Sequence, residues 1–247
     1  MSQVPKQFEQ DFTVRSYEVG PSGAAPVFRL LDYFQEAATR HADTMEISFQ
    51  EMLDQGLAWV LARLYIEIGT LPRMHETVHV TTWHSGLDRR FARRCFRMER
   101  PGGGLVARGT ANWLVMDAEA RAMVSKMPEW ILKVFHDMRQ PELEWPSRTV
   151  PKLSMNQVAR GVTARYEDQD ANGHVNTSRL AAWVFEPLAG GHEPGVPAGL
   201  DIAIRNEAHA EDEIVSDCGR QEDGTWLHAL RRLSDGKEIV RARTWWK

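Results

Sequence analysis

The chain has 247 residues, 43% of them hydrophobic and 26% charged. This is an ordinary globular balance that supports a core, excludes wholesale disorder and fits one large domain or two small ones. Its 30 Lys and Arg against 34 Asp and Glu give a formal charge of −4, without the basic excess of a nucleic-acid binder.

Residues 8–19 read as a strand, ended by the turn signal Pro21-Ser22-Gly23. Residues 27–45 carry Phe28, Leu31, Phe34, Ala37, Ala38 and His41 at three-to-four spacing, one apolar face of a helix. Ser48 followed by Glu51 is a capping-box pattern opening a short helix over 48–55, with Gly56 placed to stop it. Strand-like runs follow at 57–68, 77–83, 91–99 and 105–116, with Pro101-Gly102-Gly103-Gly104 as a hairpin signal. A short helix is predicted over 129–137, then a Pro-rich linker.

The second half repeats this order. Residues 158–165 read as a strand and 177–187 as a helix carrying Leu180, Trp183, Val184 and Leu188. A Gly/Pro-rich connection spans 190–199, and strands are predicted at 200–209, 213–219, 225–233 and 238–246. Strand, helix and about four strands, given twice, predict an α+β chain of two units, each a helix packed on an antiparallel sheet. The expected division is an N-terminal domain over 1–138, a linker over 139–157 and a C-terminal domain over 158–247.

Cys95 and Cys218 are the two cysteines, too few for a disulfide framework and without CxxC or Cys/His zinc spacing. Residues 1–10 lack the apolar core of a secretion signal, and no stretch approaches the ~20 apolar residues of a membrane span. The expectation is a soluble, cytoplasmic protein with no membrane or nucleic-acid partner.

His75-Glu76-Thr77-Val78-His79 matches the HExxH zinc-protease pattern, but that chemistry needs a helix to converge both imidazoles. Here the run continues into Val80-Thr81-Thr82-Trp83, strand composition. On a strand residues four apart lie roughly 13 Å apart at a ~3.3 Å rise, so no metal is expected there. Arg89, Arg90, Arg93, Arg94 and Arg97 form a basic cluster that suits either a solvated strand face or an acidic partner.

The segment Asp168-Gln169-Asp170-Ala171-Asn172-Gly173-His174-Val175-Asn176 gathers carboxylate, amide and imidazole groups around an Asn-Gly turn, just before a helix. Thioester hydrolysis needs such parts: a polarised water, a proton relay and donors for an oxyanion.

With the following Thr177 to Glu186, this segment resembles the active-site motif of the acyl-acyl carrier protein thioesterase family. Phe34-Gln35-Glu36-Ala37-Ala38-Thr39-Arg40-His41, Trp59-Val60-Leu61-Ala62-Arg63, and Trp113-Leu114-Val115-Met116-Asp117 through Pro128 resemble further stretches of that family, in the same order. The resemblance implies two tandem hotdog domains, each a long helix wrapped by a curved antiparallel sheet. It also implies hydrolysis of acyl carrier protein thioesters without a metal or organic cofactor, with the active site in the C-terminal unit. Coenzyme A thioesters, or acyl binding without turnover, are the alternatives, and a homodimer is left open.

By the same resemblance Asp170, Asn172 and His174 match motif positions, and Arg205-Asn206-Glu207-Ala208 matches a later Arg-x-Glu-Cys pattern. Glu207 is kept, while Ala208 stands where the family has Cys, which excludes a thiol nucleophile at that position. What remains is carboxylate-assisted attack by water, with Glu207 as base beside His174, Asn172 on the thioester carbonyl and Asp170 orienting its neighbours, Asp170 being the other carboxylate that could take the proton. The Arg cluster is then the expected dock for acidic carrier protein.

Overall fold

The computed structural model describes residues 6–88, 90–135, 138–189 and 195–247. Arg89, His136, Asp137 and residues 190–194 of the predicted connection lie outside the described residues. The chain divides into two compact units, Met1–Leu64 with Ile68–Trp145, and Tyr65–Glu67 with Pro146–Lys247. The division at Trp145 falls inside the Pro-rich stretch read as a linker.

The first unit opens with β1 (Phe8–Thr13), then α1 (Val27–Asp43) and α2 (Phe49–Asp54). α1 turns Leu30, Leu31, Phe34, Ala37 and Ala38 inward, and Phe34 stacks on Phe96 with ring centroids 4.6 Å apart. The capping box of α2 is formed on both sides: Ser48 Oγ accepts from the Glu51 N–H at 3.3 Å, and Glu51 accepts from the Ser48 N–H at 2.9 Å. The strands are β2 (Leu57–Ile68, of which Tyr65–Glu67 fall in the second unit), β3 (Thr77–Asp88), β4 (Phe91–Glu99), β5 (Leu105–Asp117) and the short β6 (Ala122–Met123), followed by α3 (Glu129–Leu132). Their order is β1-β3-β4-β5-β2, with β6 on β5.

The second unit comprises β7 (Val158–Thr163), α4 (Thr177–Phe185), β8 (Pro197–Ile204), β9 (Glu213–Arg220), β10 (Trp226–Arg232) and β11 (Glu238–Trp246). Strand order is β8-β11-β10-β9-β7, antiparallel throughout. α4 buries Leu180, Ala181, Trp183 and Val184, and Ser216 of β9 donates to the Trp183 carbonyl at 2.7 Å. Each unit is thus a helix held against an antiparallel sheet, as the sequence predicts. No helix among the described residues is long and apolar enough to cross a membrane.

Several boundaries differ from the sequence reading, among them the strand expected over 77–83, which runs on to Asp88, and the strand expected from 200, which begins at Pro197. The strand predicted over 8–19 stops at Thr13, because Glu18 folds back to accept the Arg15 N–H at 2.7 Å and closes a 3-10 turn over Ser16–Glu18. The helix predicted over 129–137 is α3 followed by a 3-10 turn, Lys133–Phe135. The strand predicted over 200–209 ends at Ile204, since Arg205 and Asn206 both donate to the Ile239 carbonyl, at 2.9 and 3.3 Å. Two successive amides sharing one acceptor leave no regular ladder to extend. The segment carrying Glu207 is therefore a loop.

Candidate active site

Two segments of the second unit meet. The first runs from a 3-10 turn (Tyr166–Asp168) to the start of α4. Gln169 and Val175 pair across it, the Asp170 N–H donates to the His174 carbonyl at 2.7 Å, and Gly173 returns its N–H to the Asp170 carbonyl at 3.0 Å. Gly173 takes φ 74°, a left-handed conformation that glycine adopts at no steric cost. Asp170 Oδ1 accepts two backbone N–H groups, from Asn172 at 2.8 Å and His174 at 3.3 Å. Asn176 caps α4 by accepting from the Ser178 N–H at 2.9 Å. The second segment follows β8, and the Val175 N–H donates to the Ala208 carbonyl at 2.7 Å, which pins the two together.

This pinning brings Glu207 to His174, with Oε2 of the carboxylate 3.0 Å from Nε2 of the ring. Both side chains are between one third and one half exposed, so water reaches the pair. Arg232 holds the base of the loop, donating to the Glu207 carbonyl at 3.3 Å and to Asp212 at 3.0 Å. Asp170 acts on the loop backbone rather than on a side chain. Asn172 is exposed, and among the described residues no hydrogen bond joins its side-chain amide to Asp170, His174 or Glu207.

His209 is the residue the sequence reading missed. Its Nε2 lies 3.7 Å from Glu207 Oε1, and its ring meets that of His174 edge-on with centroids 5.0 Å apart. Arg-Asn-Glu-Ala-His carries the signal: in extended backbone, residues two apart share a face.

No thiol competes with water here. Ala208 is fully buried, and Cys218 lies in β9 against Leu188 and Trp226, where burial pushes its thiol up to about 12. At neutral pH it is protonated and a poor nucleophile.

The first unit contains the same frame without the chemistry. Gly20 donates to the Ala24 carbonyl at 3.0 Å, Gly23 to the Gly20 carbonyl at 2.9 Å, and Ala25 to the Pro72 carbonyl at 2.8 Å. Gly23 has φ 73°, matching Gly173. Downstream, Glu76 accepts the Arg73 N–H at 2.8 Å as Asp212 accepts the His209 N–H at 2.9 Å. Superposing the two hydrogen-bond patterns puts Gly20, Ser22, Ala24, Leu71 and Arg73 where the second unit has Asp170, Asn172, His174, Glu207 and His209. Backbone geometry is common to both; at these five positions the carboxylates and imidazoles that could move a proton occur in the second unit and not in the first.

The basic cluster is not a single free patch, a correction to the sequence reading. Strand alternation turns Arg94 inward, 4% exposed, where it donates to His41 Nδ1 at 2.9 Å, His84 Nε2 at 2.8 Å and Thr82 at 3.2 Å. Arg97 is bound to Glu142 at 2.7 Å and Glu99 at 3.0 Å, and Arg93 lies 3.8 Å from Glu144. Arg90 is exposed, and Arg89 is outside the described residues. The HExxH pattern is not helical: His79 lies on β3 with Nδ1 2.7 Å from Asp11, as its strand composition predicts, while His75 sits in the preceding turn at φ 67° rather than on the strand.

A pair of helix-on-sheet units, one carrying a His–carboxylate pair beside an Asn-Gly turn, defines a tandem hotdog protein with a polar site in its second unit. The family profile for the acyl-ACP thioesterase N-terminal domain matches residues 5–135, and that for the C-terminal domain matches residues 152–247. The chain belongs to the acyl-ACP thioesterase family. It is 29% identical over 258 residues to an acyl-[acyl-carrier-protein] hydrolase of Cuphea viscosissima, covering 97% of this chain and 62% of that protein. Against a palmitoyl-acyl carrier protein thioesterase of Gossypium hirsutum it is 28% identical, covering 97% and 63%. The chain thus spans less than two thirds of the length of these curated relatives. In fold it resembles the 12:0-ACP thioesterase of Umbellularia californica, with TM-score 0.87, 24% identity and 98% of each chain covered. An acyl-ACP thioesterase from Bacteroides thetaiotaomicron gives TM-score 0.84 at 22% identity, with 99% of each covered.

Proposed function

We propose that this chain hydrolyses fatty acyl-acyl carrier protein thioesters, releasing free fatty acid and so ending chain elongation. The observation that carries this reading is the Glu207–His174 pair at 3.0 Å, set in the unit that retains the polar groups. The names of the relatives, which specify acyl carrier protein, support the carrier.

Glu207 takes a proton from water as its oxygen attacks the thioester carbonyl carbon. His174 holds the carboxylate in place and shares the charge that develops. The carbonyl oxygen becomes an oxyanion, which the exposed Asn172 amide stabilises by donating a hydrogen bond. Collapse of the tetrahedral adduct breaks the C–S bond, and the departing thiolate takes the proton from Glu207. Asp170 keeps Asn172 and His174 in register through its two backbone bonds. The buried Ala208 and the protonated Cys218 support the water route by offering no thiol nucleophile.

The test is release of free fatty acid from one acyl chain presented on acyl carrier protein and on coenzyme A. Faster turnover on carrier protein supports the reading. Faster turnover on coenzyme A reassigns the carrier, and tight acyl binding without turnover reassigns the protein as a binder.

A further inference from the structure

The mechanism proposed above leaves His209 without a role, and its placement is not that of an ordinary surface histidine. Glu207 lies between two imidazoles, with one oxygen 3.0 Å from His174 Nε2 and the other 3.7 Å from His209 Nε2. One ligand atom from each of the three residues lies within 4.8 Å of the others. We propose that His174, Glu207 and His209 form a binding site for a divalent cation of the zinc class.

The donor set comes first. Two imidazoles and one carboxylate with a position left for water is a donor set that zinc uses in open sites. Nitrogen donors favour zinc and its neighbours over magnesium or calcium, which take oxygen ligands. The spacing agrees. Tetrahedral zinc at about 2.0–2.2 Å from each ligand places donor atoms about 3.4 Å apart; one carboxylate oxygen of Glu207 stands 3.0 Å from His174 Nε2 and the other 3.7 Å from His209 Nε2, so a turn of the carboxylate brings a single oxygen within reach of both rings. Any further closure falls on side chains that are 34–42% exposed and have room to turn.

The surroundings are built in the same sense. His209 Nδ1 lies 3.3 Å from the Gly173 carbonyl and donates to it, which leaves Nε2, the nitrogen on the Glu207 side, as the atom that would ligate. A ligating histidine commonly has its other ring nitrogen engaged in this way. The Val175–Ala208 backbone bond at 2.7 Å fixes the two ligand-bearing segments to each other. No such set exists on the matching frame of the first unit, which has Ala24, Leu71 and Arg73 at these positions.

A cation held here takes the Glu207 carboxylate and the His174 nitrogen out of proton transfer. Loss of turnover on zinc binding therefore rests on the reading of Glu207 as base, whereas the binding itself does not.

The experiment is calorimetric titration of zinc into the chelator-treated full chain, beside His209→Gln, His174→Gln and His79→Gln variants whose folding is checked by circular dichroism. His79, close to Asp11 and Glu9, is the rival exposed His–carboxylate cluster. One zinc per wild-type chain is expected, with affinity at least about tenfold weaker when either site histidine is lost, unchanged in His79→Gln, and no comparable binding of magnesium. Cobalt substitution should give the visible absorption of a tetrahedral site in the wild type and lose it in His209→Gln. Absence of a one-to-one zinc site, or wild-type affinity in both site variants, overturns the proposal. Zinc bound with undiminished thioester turnover leaves the site standing and removes Glu207 as the base.

Discussion

Asp170 offers a sharp separation of folding from function. Its Oδ1 accepts the backbone N–H groups of Asn172 at 2.8 Å and His174 at 3.3 Å. Hydrogen bonds to a charged acceptor contribute about 1.5–3 kcal/mol when well formed, and the partial exposure of Asp170 and the length of the second bond reduce that. The first unit closes the same turn with Gly20, which has no side chain. Replacing Asp170 by Gly should therefore cost about 1–2 kcal/mol, part of it the added backbone freedom of glycine. At about 2–4 °C per kcal/mol for a chain of this size, Tm falls by about 2–8 °C. Turnover should suffer more. His174 loses one of the bonds that fix its backbone, and a shift of about 1 Å in a catalytic group costs on the order of 100-fold. Asp170→Asn keeps a carbonyl acceptor for the same turn and should retain most of the activity lost in Asp170→Gly. Steady-state kinetics on acyl carrier protein substrate, with a thermal melt of each variant, measures both effects. Wild-type kcat in Asp170→Gly would remove Asp170 from the site, and global unfolding would make its carboxylate structural. Equal losses in the two variants would show that negative charge, rather than a hydrogen-bond acceptor, is what the loop requires.

Glu207→Gln keeps the size of the side chain and removes the base, so kcat should fall by about 10²–10⁴-fold with Tm little changed; near wild-type turnover would refute the assignment. Ala208→Cys installs a thiol at a fully buried position, so kcat should not rise and iodoacetamide should not inactivate the native variant; a clear gain would reopen a covalent route. His228 is fully buried, bonds Thr244 at 2.9 Å, and burial holds its pKa down to about 3. The unfolded chain takes up that proton below about pH 6.5 while the native protein does not. The contribution is thus complete above about pH 6.5 and is lost towards about pH 3, at up to about 1.4 kcal/mol per pH unit. Burial depresses His84 in the same direction. Urea unfolding at pH 7.5 and pH 5 should show the loss, and His228→Gln should reduce it; an unchanged pH dependence in the variant would contradict the assignment.

Much of the fold is legible in the chain because side-chain period and turn chemistry agree. β2, β4 and β11 occupy the spans expected for them, 57–68, 91–99 and 238–246, where apolar or β-branched runs end at Gly, Pro or Asp-Gly. The failures have a common cause. Glu18 and the shared Ile239 carbonyl end strands through specific bonds, which a hydrophobic pattern does not encode. The same limit applied to the Arg cluster: alternation on β4 sends Arg94 inward to two histidines, and charge counting alone does not distinguish faces. In the site, Asp170, Asn172 and His174 were readable as a local motif and Glu207 through a resemblance. His209 has only its two-residue spacing from Glu207 as a signal, and that spacing gains meaning once Val175 pins the loop of Ala208 to the turn at Gly173.

The paired units show how little of this frame is committed to chemistry. The turn at Gly20–Ala24 and the turn at Asp170–His174 share their backbone hydrogen bonds and a glycine at φ 73° or 74°. Both are tied to a second loop, through Pro72 in one unit and Ala208 in the other. The carboxylate on Arg73 or His209 and the arginine behind it recur as well, Glu76 with Arg100 and Asp212 with Arg232. A stable loop pair therefore does not require Asp, His or Glu at the positions under discussion. Side chains that the frame can omit in one unit, yet that converge within hydrogen-bond distance in the other, are not explained by folding. This makes water activation, rather than packing, the stronger account of Glu207 and His174, and it makes the first unit an internal reference for every substitution in the second.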